Sequence, residues 1–242
     1  GNQFILNELQ KINKDYNEEI NRLAFKMATG YGKTFVMAMM ILWNGINKFF
    51  YKTDKKFANQ FLILTPGITI RDRLKVLNPN ENENIYDQYD LIPLNYKKVI
   101  STIKLEILNW HQLQARTKAD VGRQTQKILG KKFLDNNQES DKDIVNRVCK
   151  NFSKTSNVVA INDEAHHCHK TLSEKIKDLK GDDKKEAEDE LRTATVWFDG
   201  IKKISKIFNL NNVYDLSATP FWLKGSGFQE GSIFPWVVSD FS

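Results

Sequence analysis

Short, wholly apolar runs alternate with longer stretches of helical periodicity along most of this chain. Residues 6–21 mix apolar and charged positions as an amphipathic helix does. Leu23–Met27 then reads as a short buried strand, followed by a glycine-bearing turn over residues 28–32. The apolar segment from Lys33 to about Phe50 is too long for a strand and predicts a largely buried helix. Phe61–Leu64 predicts a second strand, and Ile68 to Leu77 has helical spacing. Residues 78–90 are rich in Asn, Asp and Glu and read as a loop, residues 94–101 as a short helix, and Ile103–Leu108 as a third strand. Asn157–Ile161 and Val213–Leu216 predict a fourth and a fifth strand. Between them, residues 170–191 carry a dense charge run, the mark of a solvated helix face, and residues 197–210 are amphipathic enough to dock on a sheet. Continuous apolar strands separated by helices predict a parallel α/β sheet covered on both faces. No Pro- or Ser-rich linker divides the chain, so residues 1–242 are expected to form one domain.

Composition narrows the class without naming a function. A chain of 242 residues with 40% hydrophobic content can bury a sizeable core, which excludes a disordered protein. The net charge of +6 permits an anionic partner. The two cysteines, Cys149 and Cys168, suit a reducing compartment. The first twenty residues are polar, and the run from Phe35 to Trp43 is too short to cross a bilayer, so a cytoplasmic protein is expected.

Polar residues fall at the carboxyl ends of several predicted strands, the edge where open α/β sheets hold ligands. The first such group is Ala28-Thr29-Gly30-Tyr31-Gly32-Lys33-Thr34. Glycines let backbone N–H groups curl around phosphate oxygens, and a helix beginning at Lys33 adds its positive end. Residues Thr29 to Thr34 are thus candidate nucleotide ligands, with the Lys33 ammonium on the β/γ-phosphates and the Thr34 hydroxyl on Mg²⁺. The usual first glycine of a G-x-x-x-x-G-K-[ST] loop is replaced by Met27.

The second group is Asn162-Asp163-Glu164-Ala165-His166. Asp163 is a candidate Mg²⁺ ligand. Glu164 is a candidate base that accepts a proton from, or orients, the water attacking the γ-phosphate. An Asp-Glu pair also ends many ordinary strands; the buried strand before it and the phosphate loop elsewhere favour the chemical reading. His166, His167, Cys168 and His169 are contiguous, whereas tetrahedral zinc wants ligands in spaced pairs.

Together these strings resemble a known family. Ala28–Thr34, Asp163–His166 and Ser217-Ala218-Thr219 look like motifs I, II and III of superfamily-2 helicases in the correct order, and Thr65-Pro66-Gly67 looks like motif Ia. The longer strings LAFKMATGYGKTFVMAMM, TPGITIRDRL, INDEAHHC and YDLSATPFWLKGSGFQEGSIFPWVVSDF resemble the DEAD/DEAH-type restriction subunits of type III restriction enzymes. The resemblance implies a three-layer, RecA-like P-loop NTPase domain with a mainly parallel sheet, using ATP and Mg²⁺. It implies that Lys33, Asp163 and Glu164 are catalytic. His166, Ser217 and Thr219 would couple the nucleotide state to domain movement, and Thr65, Gly67 and Arg71 would lie along the nucleic-acid backbone. Asn109-Trp110-His111 occupies the position of a related strand-end segment. The implied partners are duplex DNA, a second motor domain carrying the arginine finger, a nuclease domain, and a DNA methyltransferase subunit.

The chain departs from that pattern in three ways. No Q-x-x-G-R-x-x-R string marks a second motor domain, and no nuclease signature follows residue 219. Gln3 and Gln10 precede the phosphate loop without the context of an adenine-reading glutamine. The expectation is therefore a first motor domain that binds ATP or ADP and hydrolyses ATP poorly by itself. The competing readings are a nucleotide-sensing module that docks a partner and a helicase domain of another DNA- or RNA-processing system with little turnover by itself.

Overall fold

The computed structural model describes residues 3, 4, 7, 11, 20–28, 30–117, 138–165, 180–218, 221–222, 231–232 and 237–241. Its centre is a six-stranded sheet in the order β3-β2-β4-β5-β1-β8. The strands are β1 (Arg22–Met27), β2 (Gln60–Thr65), β3 (Lys104–Asn109), β4 (Asn157–Asp163), β5 (Asn209–Ser217) and β8 (Val237–Phe241). All neighbouring pairs in this sheet are parallel. A separate two-stranded antiparallel pair joins β6 (Phe221–Trp222) to β7 (Gly231–Ser232).

β2 and β4 are buried at every position, as their apolar runs predict for strands covered on both faces. The period-2 alternation divides the core into two layers. Phe61, Ile63, Val159, Ile161 and Met27 face one layer, which is filled by helix α1 (Lys33–Phe50). The same layer receives α2 (Ile68–Arg73) through Ile70, and α3 (Ile85–Gln88) and α4 (Lys97–Ile100) through Ile85 and Ile100. Leu62, Leu64, Val158, Ala160 and Val213 face the other layer, filled by α5 (Asp141–Val148) and α6 (Gly181–Ser205). α6 seats itself through Trp197, Ile201 and Ile204, all essentially inaccessible to water. A Cβ added at Gly200 would come within 2.7 Å of the Leu113 side chain, so this glycine lets α6 approach the 3₁₀ turn Trp110–Leu113.

Several elements differ from the sequence expectation for local physical reasons. The charged run and the amphipathic segment after it merge into the single helix α6, because nothing between Gly181 and Ser205 breaks the backbone; the run's first residues, 170–179, lie outside the described residues. β5 begins at Asn209, so Leu210 belongs to a strand and not to the helix before it. The expected loop 78–90 contains α3, capped by the Asn84 side chain and anchored by buried Ile85 and Tyr86. The expected helix over residues 68–77 tightens into a 3₁₀ turn at Leu74–Leu77. α5, begun by a Ser140/Asp143 capping box, and β8 were not anticipated. No helix among the described residues is long and apolar enough to cross a membrane.

Candidate nucleotide site at the carboxyl edge of the sheet

The parallel register brings the carboxyl ends of the central strands to one edge. Lys26 pairs with Ser217, Asp163 with Leu216, and Thr65 with Asn109. The phosphate loop and the acidic pair are not on adjacent strands: β5 lies between β1 and β4. The loop's reach spans that gap.

Gly30 and Gly32 have φ values of +85° and +79°, a left-handed conformation that side-chain-bearing residues rarely adopt. A Cβ at Gly30 would meet nothing within 4 Å, so the backbone angle and not space requires glycine there. Gly32 is the N-cap of α1, and neither a capping side chain nor an acidic residue occupies the first turn. The N–H groups of that 18-residue helix therefore open onto the edge of the sheet with the positive end of the helix dipole behind them. The Tyr31 N–H is committed to the Ala28 carbonyl at 3.3 Å, while its ring is exposed. Thr34 is half-buried at the second position of α1.

Lys33 extends across β5 to the acidic pair. Its ammonium forms an ion pair with the Glu164 carboxylate and lies 3.8 Å from Asp163 Oδ1. The Lys33 side chain is 12% exposed and that of Asp163 9%, so this electrostatic cluster is largely shielded from water. Burial pushes the Asp163 carboxyl above its ordinary range; nearby Lys33 opposes that shift and Glu164 reinforces it. Asp163 Oδ1 is buried and has no hydrogen-bond partner. Buried acceptors are rarely left so, and an orphaned carboxylate oxygen beside an open helix end fits a divalent cation. The adjoining Glu164 holds φ at +52°, a left-handed backbone on a residue with a full side chain. Such conformations persist where the surroundings fix them, and they cluster at functional sites.

The remaining expected residues divide. Ser217 ends β5 between the phosphate-loop strand and the acidic strand, fully buried. Gly67 caps α2 and accepts the Arg71 N–H at 3.0 Å, and the half-buried Arg71 guanidinium contacts Asp72 at 3.1 Å. Thr65, expected along the nucleic-acid backbone, ends β2. It is 2% exposed and its hydroxyl is enclosed without a partner, because the last residue of β2 is still inside the sheet. Asn109 ties the two neighbouring strand ends together by donating to the Pro66 carbonyl at 3.0 Å, and Trp110 stacks on His111 at 3.6 Å. Gln3 donates to Asn7 at 3.1 Å on the surface. Thr29, His166, Thr219, Gln10 and the run His167–His169 lie outside the described residues. No cluster of three or more metal-ligating side chains occurs among the described residues.

A polar network on the opposite face of the sheet escaped the sequence reading. Asp215 in β5 is fully buried. It forms an ion pair with Arg22 of β1 and accepts from Asn162 Nδ2 of β4 at 2.6 Å. Asn162 Oδ1 in turn accepts the Trp197 indole N–H from α6 at 2.9 Å, and the Arg22 guanidinium lies 4.6 Å from the centre of the same indole. Burial raises the Asp215 carboxyl's pKa, and Arg22 opposes the shift. The available signal was a polar residue embedded in each of three apolar strands.

A parallel sheet with helices on both faces, a left-handed glycine loop opening a helix that packs one face on the sheet, and a lysine meeting a strand-end Asp-Glu pair define a RecA-like P-loop NTPase domain. The family described as type III restriction enzyme, res subunit, matches residues 3–221, and this chain belongs to it. Its domain is a helicase-like, ATP-binding unit. Neither the curated proteins nor the solved structures yield a match.

Proposed function

We propose that residues 1–242 form the first motor domain of a DNA-dependent ATPase and translocase, the restriction subunit of a type III-like restriction or defence system. One observation carries the reading: Lys33 and Glu164, 131 positions apart, form an ion pair beside the orphaned oxygen of Asp163 at the open end of α1. A lysine held by carboxylates at the open end of a helix is a charge that phosphate can take over.

In the proposed cycle the phosphates enter against the first turn of α1, and Lys33 leaves Glu164 to meet them. Asp163 and the Thr34 hydroxyl would hold Mg²⁺, which when bound supplies charge neutralisation across the phosphate oxygens. Glu164, released from Lys33, accepts the proton of the attacking water. Ser217, wedged between the two functional strands, would sense which state they are in, together with His166 and Thr219. Gly67 and Arg71 would follow the nucleic-acid backbone in a sequence-independent, salt-sensitive way, with Thr65 shaping that turn from inside. A second motor domain supplying an arginine finger, a nuclease domain and a methyltransferase subunit are the proposed partners, and the cytoplasm the proposed compartment.

Calorimetric titration with ADP and Mg²⁺, and ATPase assays with and without duplex DNA, test the proposal. Binding with slow turnover is expected for this chain, and DNA-stimulated turnover when a second motor domain is joined to it. Absence of ADP binding would refute the nucleotide assignment. Rapid DNA-stimulated hydrolysis by this chain alone would refute the need for a second domain.

A further inference from the structure

The network of Arg22, Asp215, Asn162 and Trp197 lies on the α6 face of the sheet, while Lys33, Asp163 and Glu164 meet at its carboxyl edge. Its central member, Asn162, immediately precedes Asp163. Neighbouring residues of a strand direct their side chains to opposite faces, so what fixes one side chain fixes the backbone angles that aim the next.

Asn162 is held from two directions. Its Nδ2 donates to Asp215, and its Oδ1 accepts from Trp197. Both of its polar ends are thereby satisfied inside the core, where an unpaired amide is costly. Asp215 is fixed in turn by Arg22, and Trp197 by the close seating of α6 that Gly200 permits against Leu113. Apolar side chains surround the network in this layer: Leu62, Leu64, Val158, Ala160, Ile201 and Val213. An aliphatic residue at 162 would suit packing alone. Hydrogen bonds add what packing lacks, a defined rotation and height for the end of β4. Immediately beyond that end the backbone turns left-handed at Glu164.

We infer that Asn162 is a positioning residue for the metal-binding carboxylate, with Trp197 of α6 as the donor that holds it. The inference rests on the proposed reading of Asp163 as a Mg²⁺ ligand. Partners one step behind a ligand orient it, and altering them weakens metal affinity by roughly ten- to a hundredfold. Here the link runs through the backbone, so the lower end of that range applies. The seating of α6 thereby sets how well the nucleotide's cation is held.

The test is calorimetric titration of the whole chain with ADP, in EDTA and across a series of Mg²⁺ concentrations. Trp197→Phe keeps an aromatic ring and removes the N–H; Asn162→Ala removes both hydrogen bonds. Ile201→Val, on the same face of α6, loosens the core without touching the network. Trp197→Phe and Asn162→Ala are each expected to raise the Mg²⁺ concentration for half-maximal enhancement of ADP binding about tenfold. Affinity in EDTA should stay within about twofold, because phosphate contacts survive, and Ile201→Val should shift neither quantity.

An unchanged Mg²⁺ response in a folded Trp197→Phe protein would overturn the inference. So would an equal shift in Ile201→Val, which would reduce the network to ordinary core. Wild-type protein that binds ADP without any response to Mg²⁺ would instead remove the Asp163 assignment beneath it.

Discussion

Replacing Lys33 by methionine tests the electrostatic core of the site without needing turnover. The substitution keeps most of the aliphatic stem and deletes the charge between two carboxylates, one of them buried. At the observed 3.8 Å from Asp163, attraction between unit charges is about 4 kcal/mol at an effective dielectric constant of about 20. Desolvation of the ammonium, regained in the variant, cancels part of that, leaving a net loss of roughly 1–3 kcal/mol at neutral pH. The loss depends on pH in a definite direction. Asp163 is already shifted upward in the folded protein, and without Lys33 it is shifted further. A carboxyl whose folded pKa is raised stabilises the fold below its unfolded value and loses that contribution as pH rises through the folded value. The variant's penalty is therefore full where Asp163 is ionised and shrinks as falling pH protonates it. Urea unfolding of both proteins at pH 7.5, and at steps of falling pH through the range in which carboxylates protonate, measures the difference. A Lys33→Met protein as stable as wild type at pH 7.5, or one with a penalty independent of pH, would refute the account of this cluster.

Further outcomes follow from the same geometry. Glu164→Gln should lower ATP hydrolysis by roughly a hundred- to ten-thousandfold, measured with a second motor domain joined to the chain. It should also leave ADP binding equal or tighter, because Lys33 no longer has a competing carboxylate; weaker binding would contradict that competition. Gly200→Ala should destabilise the fold by about 1–3 kcal/mol through its clash with Leu113. Adding Leu113→Ala should cost less than the sum of the two single changes, a non-additivity that a denaturant double-mutant cycle reads directly. Asp215→Asn leaves the Arg22 guanidinium buried without its counter-ion and should cost about 3–5 kcal/mol in the same unfolding assay.

What could be read from the chain tracks how local each feature is. The phosphate loop was legible because its cause is contained in seven residues: two glycines free to turn left-handed and an apolar helix behind them. The span of α1, Lys33 to Phe50, follows from an apolar run too long for a strand, but the expectation that the helix is largely buried does not hold, since only six of its 18 residues are. The capping box that starts α5 is just as local, contained in the four residues Ser140 to Asp143. Strand order is different, since β5 standing between β1 and β4 depends on which surfaces the helices cover. The Lys33–Glu164 pair could be suspected from residue types but needed that order to be drawn. The Arg22–Asp215–Asn162–Trp197 network was least legible, because Arg22, Asn162 and Asp215 are polar residues of three separate strands and Trp197 looks like one more apolar residue of α6. The enclosure of Thr65 was illegible for a related reason: its place at a strand end can be read from the chain, but the neighbouring strands that cover its hydroxyl cannot.

β4 serves two masters with consecutive residues: Asn162 answers to α6, and Asp163 to the phosphate loop. A side-chain change at either position alters one allegiance. Adding or removing a single residue in the strand would exchange both, sending the carboxylate toward the indole and the amide toward the lysine. The pairing of β4 with β5 already shifts register once, between Val158 and Val159, ahead of these two positions. Descendants of this sequence can therefore vary the apolar side chains of β4 widely, but the count of residues from that shift to Asp163 is the quantity they must inherit unchanged.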